Sequence, residues 1–495
     1  NDIKEVYNKK MKTASIIMQP IISVLGTFLL GLSFTMLIPG FLDLAENNLN
    51  WTGFFVSSLF TFFIGISLIL INRGSNNKIE IRSAFILVVL SWLILSIFAS
   101  LPFIASSGNL GITNSFFEAV SGLTTTGSTV ISDLENTSRG IILWRAILQW
   151  LGGIGIIVSA ISILPNLGVG GMQLFRLESS DTSEKILPRA ASIATEITVL
   201  YIALSAICGI SYWLIGLSSF DSLVHAMSTI ATGGFSSRSD SLGGFNNVNL
   251  ETIAIIFMII SSLPFVLYLK AIRGRPTDII KDQQVRGFFK TLFIASIAVI
   301  SYLIIFKDFV FFDAIRYSLF NVTSILTGTG FVTAEYDMWG TPIILVFLFI
   351  TFIGGCAGST TCGIKIFRLQ IIYYNSKETI GKLISPNRVI NKKYNGEHIS
   401  QEITQSVITF LFIFIVTFIV LSVLLSFTGL DLITSFSAAA TSISNVGPGL
   451  GSMIGPSYNF YEISDIGKWL LSAGMLAGRL EFLTLIVVFN RSFWK

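Results

Sequence analysis

The chain has 495 residues, of which 52% are hydrophobic and only 12% charged, and its formal net charge is +4. A soluble globular domain is about one-quarter charged, so an ordinary soluble enzyme is excluded. The apolar runs are continuous rather than alternating, which excludes a transmembrane β-barrel, and so small a net charge makes no case for nucleic acid as a partner.

Two helices are expected first, over about 16–39 and 51–71. The first follows Lys4, Lys9, Lys10 and Lys12 but lacks a small-residue cleavage site. At about twenty residues it is long enough to span a bilayer, so it is read as a transmembrane helix and not a signal peptide. A pattern then recurs four times: a long apolar segment, an amphipathic run of about three turns, a glycine-rich loop and a second apolar segment. The outer segments are expected over 83–103 and from 140, 190–216 and 250–270, 289–306 and 341–374, and 403–427 and 463–490. The amphipathic half-helices should open near Asn114, Asp221, Asp313 and Asp431, residue types that cap helix starts. The four loops end on Gly127, Gly234, Gly330 and Gly447, spaced by roughly a hundred residues, which marks an internal repeat.

The expected fold is therefore an all-α polytopic membrane protein, with two N-terminal helices and four pseudo-repeats of helix, re-entrant pore loop and helix around one central pore. Residues 1–78 hold the two-helix region, and 79–175, 176–280, 281–395 and 396–495 hold the repeats, giving ten membrane helices and four half-helices. A loop inside a bilayer cannot face lipid, because each unsatisfied backbone group costs several kcal/mol there. Four such loops at one axis present rings of carbonyl oxygens that can replace a cation's hydration shell. Each half-helix would also aim its negative C-terminal end at the site. The candidate cation ligands are the backbones of Thr125, Thr126 and Gly127; Thr232, Gly233 and Gly234; Gly328, Thr329 and Gly330; and Asn445, Val446 and Gly447. The spacer before each final glycine differs, being Thr126, Gly233, Thr329 and Val446, so the pore is only pseudo-symmetric.

Two further features lie mid-membrane. Gly354, Gly355, Gly358, Ser359, Thr360 and Gly363 interrupt the third return segment just before Lys365. They form either a small-residue packing face, through Gly354 and Gly358, or an unwound loop that obstructs the pore, to which Lys365 adds charge unless it snorkels. Arg479 stands in the middle of the last helix, where it requires either a carboxylate on a neighbouring helix or a role as a cation barrier. His225 reads as a packed or hydrogen-bonded residue and His398 as solvated, with no partner at metal spacing. The cysteines Cys208, Cys356 and Cys362 lie in apolar or small-residue segments, which argues against a disulfide framework. No hydrolase, zinc-protease or P-loop motif occurs, so the protein is not expected to be an enzyme. With an even helix count, 25 of the 32 Lys and Arg residues fall on one side with both termini, which places that side in the cytoplasm.

These residues resemble the Trk/Ktr/HKT superfamily of potassium transporters, and within it the bacterial TrkH/TrkG type. The resemblance covers nearly the whole chain. It rests on Ser121–Gly127, Gln149–Gly155, Leu167–Gln173, Ala231–Phe235, Gly354–Thr360, Asn445–Gly451 and Gly478–Phe482, and on the two extra N-terminal helices. It implies K+ as the bound and transported ion, uptake through a gated, channel-like pore in the bacterial inner membrane, and a homodimer of pores. It also implies a cytosolic TrkA-type nucleotide-binding regulatory subunit, with the glycine-rich loop and Arg479 as the gate. Glycine at Gly127, where some plant relatives carry serine and favour sodium, points to potassium. The alternative is a proton- or sodium-coupled potassium symporter, for which inverted halves and buried acids would be expected.

Overall fold

The computed structural model describes residues 2–72, 81–106, 108, 110–162, 186–385 and 393–494. The Leu167–Gln173 motif lies outside the described residues. Among the described residues the only strands are the two-residue pair Lys393–Tyr394 and Glu397–His398; the rest of the regular structure is helical.

Seven of the described helices are each long and apolar enough to cross a membrane: Met18–Ala45, Asn50–Ile71, Arg82–Ile104, Arg139–Ile157, Ser192–Leu214, Gln283–Lys307 and Gln401–Ser426. The other three expected spans are present but broken; for the second and fourth this corrects the continuous return helices read from sequence, whereas the third breaks at the glycine-rich run expected to interrupt it. The second return helix is Val248–Ser262 followed by Phe265–Ile272 at a 92° bend. Pro264 causes the break by forcing Leu263 into the extended conformation (φ −89°, ψ 157°). The third stops at Phe352 and resumes at Ile366. The fourth divides into Asp465–Arg479 and Phe482–Phe489 at Glu481, whose φ is 53°.

The half-helices are Gly111–Leu123, Ser219–Ile230, Phe311–Leu326 and Leu432–Ser444. Only Asp431 caps as expected, accepting from the amides of Ile433 and Thr434. Asn114, Asp221 and Asp313 instead lie within the helices, which start two to three residues before them. In the second, Ser218 caps the helix and also donates to Asp221. Asp221 and Asp313 sit in the first turn, where a carboxylate favours the positive helix end without capping it.

Burial is inverted relative to a soluble protein. Large apolar side chains such as Phe60, Phe63, Ile305 and Phe412 face outward, whereas Thr124, Ser228, Thr229, Ser324, Ser444 and Asn445 are buried about the axis. Asp43 joins the N-terminal helices to the first repeat by capping its return helix from outside, accepting from the Gly140 amide (2.8 Å) and the Ser138 hydroxyl (3.2 Å).

Candidate functional site

Each half-helix ends the same way. The amides of Thr125, Thr232, Gly328 and Asn445 bond three residues back, to the carbonyls of Gly122, Thr229, Ile325 and Ser442 at 3.0 to 3.4 Å. All four residues are left-handed, with φ of 55°, 52°, 72° and 54°. Three of them carry a Cβ, a conformation costing of order 1–3 kcal/mol that persists only where its surroundings fix it. Two residues on, Gly127, Gly234 and Gly330 are left-handed again, whereas Gly447 is not. The backbone repeats fourfold where the sequence does so only loosely.

The four loops close a ring. A Cβ added to Gly127 would run into the carbonyl oxygen of Gly233, and one on Gly234 into that of Thr329. One on Gly330 would meet Pro448 and the Gly447 amide, and one on Gly447 the carbonyls of Thr126 and Gly127. Each loop therefore abuts the next, and the fourth returns to the first. Side chains complete the seam between fourth and first: Ser128 donates to the Gly447 carbonyl (2.8 Å) and the Asn445 amide donates to Thr126 Oγ1 (3.0 Å). All twelve of the expected loop residues belong to this ring. Among the described residues no group of three or more His, Cys, Asp or Glu comes together.

The 353–365 segment lies against one side of this ring. It is not helical, so Gly354 and Gly358 do not form a helix-packing face. Its two legs bridge through Gly354 N to Ile364 O (3.0 Å) and Ile364 N to Phe352 O (2.8 Å), and Gly358 and Gly363 are left-handed. Its tip sits in the break of the second return helix: Cys356 N bonds Ser262 O (3.0 Å), and the Thr360 hydroxyl donates to Ser261 O (3.1 Å). Thr360 also accepts from the Thr232 hydroxyl (3.2 Å), which links the segment to the ring. Ser359 and Thr361 share a hydrogen bond within the segment, and a Cβ on Gly355 would crowd Thr361. Lys365 folds back onto the Thr361 carbonyl and hydroxyl. Arg479 is buried over the same segment. It donates to the carbonyls of Thr360 (3.3 Å) and Gly152 (2.8 Å), contacts Cys362 Sγ and lies 5.6 Å from the Trp92 ring. Among the described residues no carboxylate pairs with it. Glu481, two residues on, pairs with Arg368 instead (2.8 Å).

A profile of the TrkH cation transport proteins matches residues 52–495. The chain belongs to the TrkH family. The Trk system potassium uptake protein TrkI of Halomonas elongata is 39% identical to it, over 96% of this chain and 97% of that protein. TrkH of Escherichia coli K12 is 36% identical, over 95% and 98%. The crystal structure of the potassium transporter TrkH from Vibrio parahaemolyticus superposes with a TM-score of 0.89 at 33% identity, covering 97% of this chain and 100% of that one. TrkH-family members are membrane transport proteins and not enzymes, and this chain is a multi-pass member.

Several residues around the ring escaped the sequence reading. Glu118, on the first half-helix, and Arg145, on the first return helix, form a fully buried pair at 2.7 Å. Glu118 also accepts from Thr129 and from the Val130 amide, while Arg145 donates to Ser236 O and stacks 4.0 Å from the Phe235 ring. The pair thus joins the exit of the first loop to that of the second. The one available signal was a lone acid and a lone base inside apolar segments, 27 residues apart. On the outer surface, Glu135 joins the same two repeats through Ser239 N (2.9 Å) and Oγ (2.6 Å). Burial pushes its carboxyl up, but the Ser239 hydroxyl and amide outweigh this and hold it below the usual range. His225 is hydrogen-bonded to Asp221 O and Ser236 Oγ, and His398 is exposed.

Proposed function

We propose that this chain is the membrane subunit of a Trk-type potassium uptake system, passing K+ passively through the ring of four loops. The observation that carries the reading is the closure of that ring by four backbones sharing a left-handed residue at the same position. Such a ring offers carbonyl oxygens from four sides, and cation selection requires that these replace the hydration shell without holding the ion too tightly. The backbones of Thr125 to Gly127, Thr232 to Gly234, Gly328 to Gly330 and Asn445 to Gly447 supply them. The half-helices add their negative ends.

The segment bearing Gly354, Gly355, Gly358, Ser359, Thr360 and Gly363, with Lys365, and the uncompensated Arg479 form the gate. Obstruction and positive charge act together there. The relatives' names support potassium as the substrate. The charge bias supports a topology with both termini cytoplasmic. An inner-membrane location, a homodimer and control by a cytosolic nucleotide-binding subunit of the TrkA type rest on the likeness to the Trk proteins.

The test is rubidium uptake into liposomes that hold only this protein, with potassium trapped inside. Uptake on the potassium gradient alone, suppressed far more by external potassium than by sodium, is expected. Uptake only after a proton or sodium gradient is imposed would replace the pore with a coupled symporter.

A further inference from the structure

We infer that Gln149, on the first return helix, is a specificity-determining residue that positions the second loop of the ring by standing in for its missing spacer side chain. The inference rests on the proposed ion path through the ring. Three of the four spacers carry side chains, and two of these brace their own loop: Thr126 Oγ1 bonds Thr124 Oγ1, and Thr329 Oγ1 bonds Thr327 Oγ1, each at 2.8 Å. The second spacer, Gly233, has none. Gln149 fills that place, since a Cβ on Gly233 would collide with its side-chain amide.

The amide brackets the loop from both sides. Nε2 donates to the Gly233 carbonyl at 2.6 Å, and Oε1 accepts from the Phe235 amide at 3.1 Å. Gln149 is fully buried, and the bracket spans 84 residues of sequence. It holds the carbonyl that lies against Gly127 of the neighbouring loop. It also occupies one lone pair of an oxygen in the ring, which weakens that oxygen's field at a cation. A spacer carbonyl held in place by a side chain from outside the loop is what sets the second loop apart.

The variant Gln149→Met keeps the length of the side chain but cannot donate to Gly233 in any protonation state. In the liposome assay, the ratio of potassium to sodium competition should fall at least several-fold. The second variant, Gln149→Ala with Gly233→Thr, removes the intruding amide and restores a spacer threonine. It should recover selectivity relative to Gln149→Ala alone. A purely packing role would alter the amount of folded protein but not this ratio, nor its rescue. An unchanged ratio in Gln149→Met, or a double variant no more selective than Gln149→Ala, overturns the inference. If the unaltered protein does not discriminate, the ion path itself fails, and that outcome is distinct.

Discussion

Arg479 offers five N–H donors, and every partner it finds is neutral: two carbonyls, a thiol sulfur and an indole face. Its charge therefore remains to act on any cation that approaches. Two unit charges about 6 Å apart at an effective dielectric near 20 repel by about 3 kcal/mol. Arg479→Ala should raise basal rubidium flux, with a ceiling of about a hundredfold at 1.4 kcal/mol per factor of ten. Unchanged flux in folded protein would remove the barrier role. Glu118 presents the opposite case, a charge fully compensated. Removing one member of a buried pair leaves its partner's charge uncovered, at about 3–5 kcal/mol. Glu118→Ala should therefore lower the thermal unfolding temperature sharply, because Arg145 and the Val130 amide both lose an acceptor. A variant as stable as the parent would show that water or another group takes over.

The half-helices, the loops between them and the breaks in the return helices were not equally legible. The ends of the half-helices could be read because glycine and threonine recur at fixed spacing where the chain must turn left-handed. Their starts could not: three of the four expected caps lie inside the helix, and only Asp431 uses its side chain to satisfy free amides. Pro264 lay unread inside the second return helix, expected to be continuous over 250–270, and Glu481 gave no sign, since a left-handed glutamate is imposed by its surroundings and not by its own preference. The 353–365 segment was legible as an interruption, and its glycines now have specific tasks. A Cβ on Gly354 would run into the Cys362 carbonyl, so Gly354→Ala must part the two bridged legs of the segment. Parted legs should obstruct less, and flux without any partner should rise. Flux at the parent level, in protein of native stability, would mean that the segment does not block the path.

For the whole molecule, the repeat was visible in sequence but its closure was not, because the contacts that close it join residues up to 319 positions apart. What sequence does convey globally is sidedness. The loops beyond the ring carry few cations, while the turn holding Arg273 and Arg275 belongs with the basic termini. Asp240 and Arg275 are exposed at these two places, whereas Cys208 and Cys356 are buried and Cys362 lies beneath Arg479, so background labelling should be low. Asp240→Cys should react with a membrane-impermeant maleimide added to intact cells, and Arg275→Cys only in inside-out vesicles. The reverse pattern would put the ring's entrance on the cytoplasmic side. The gate would then lie on the outer side, away from a cytosolic subunit, and regulation from within would need a different route.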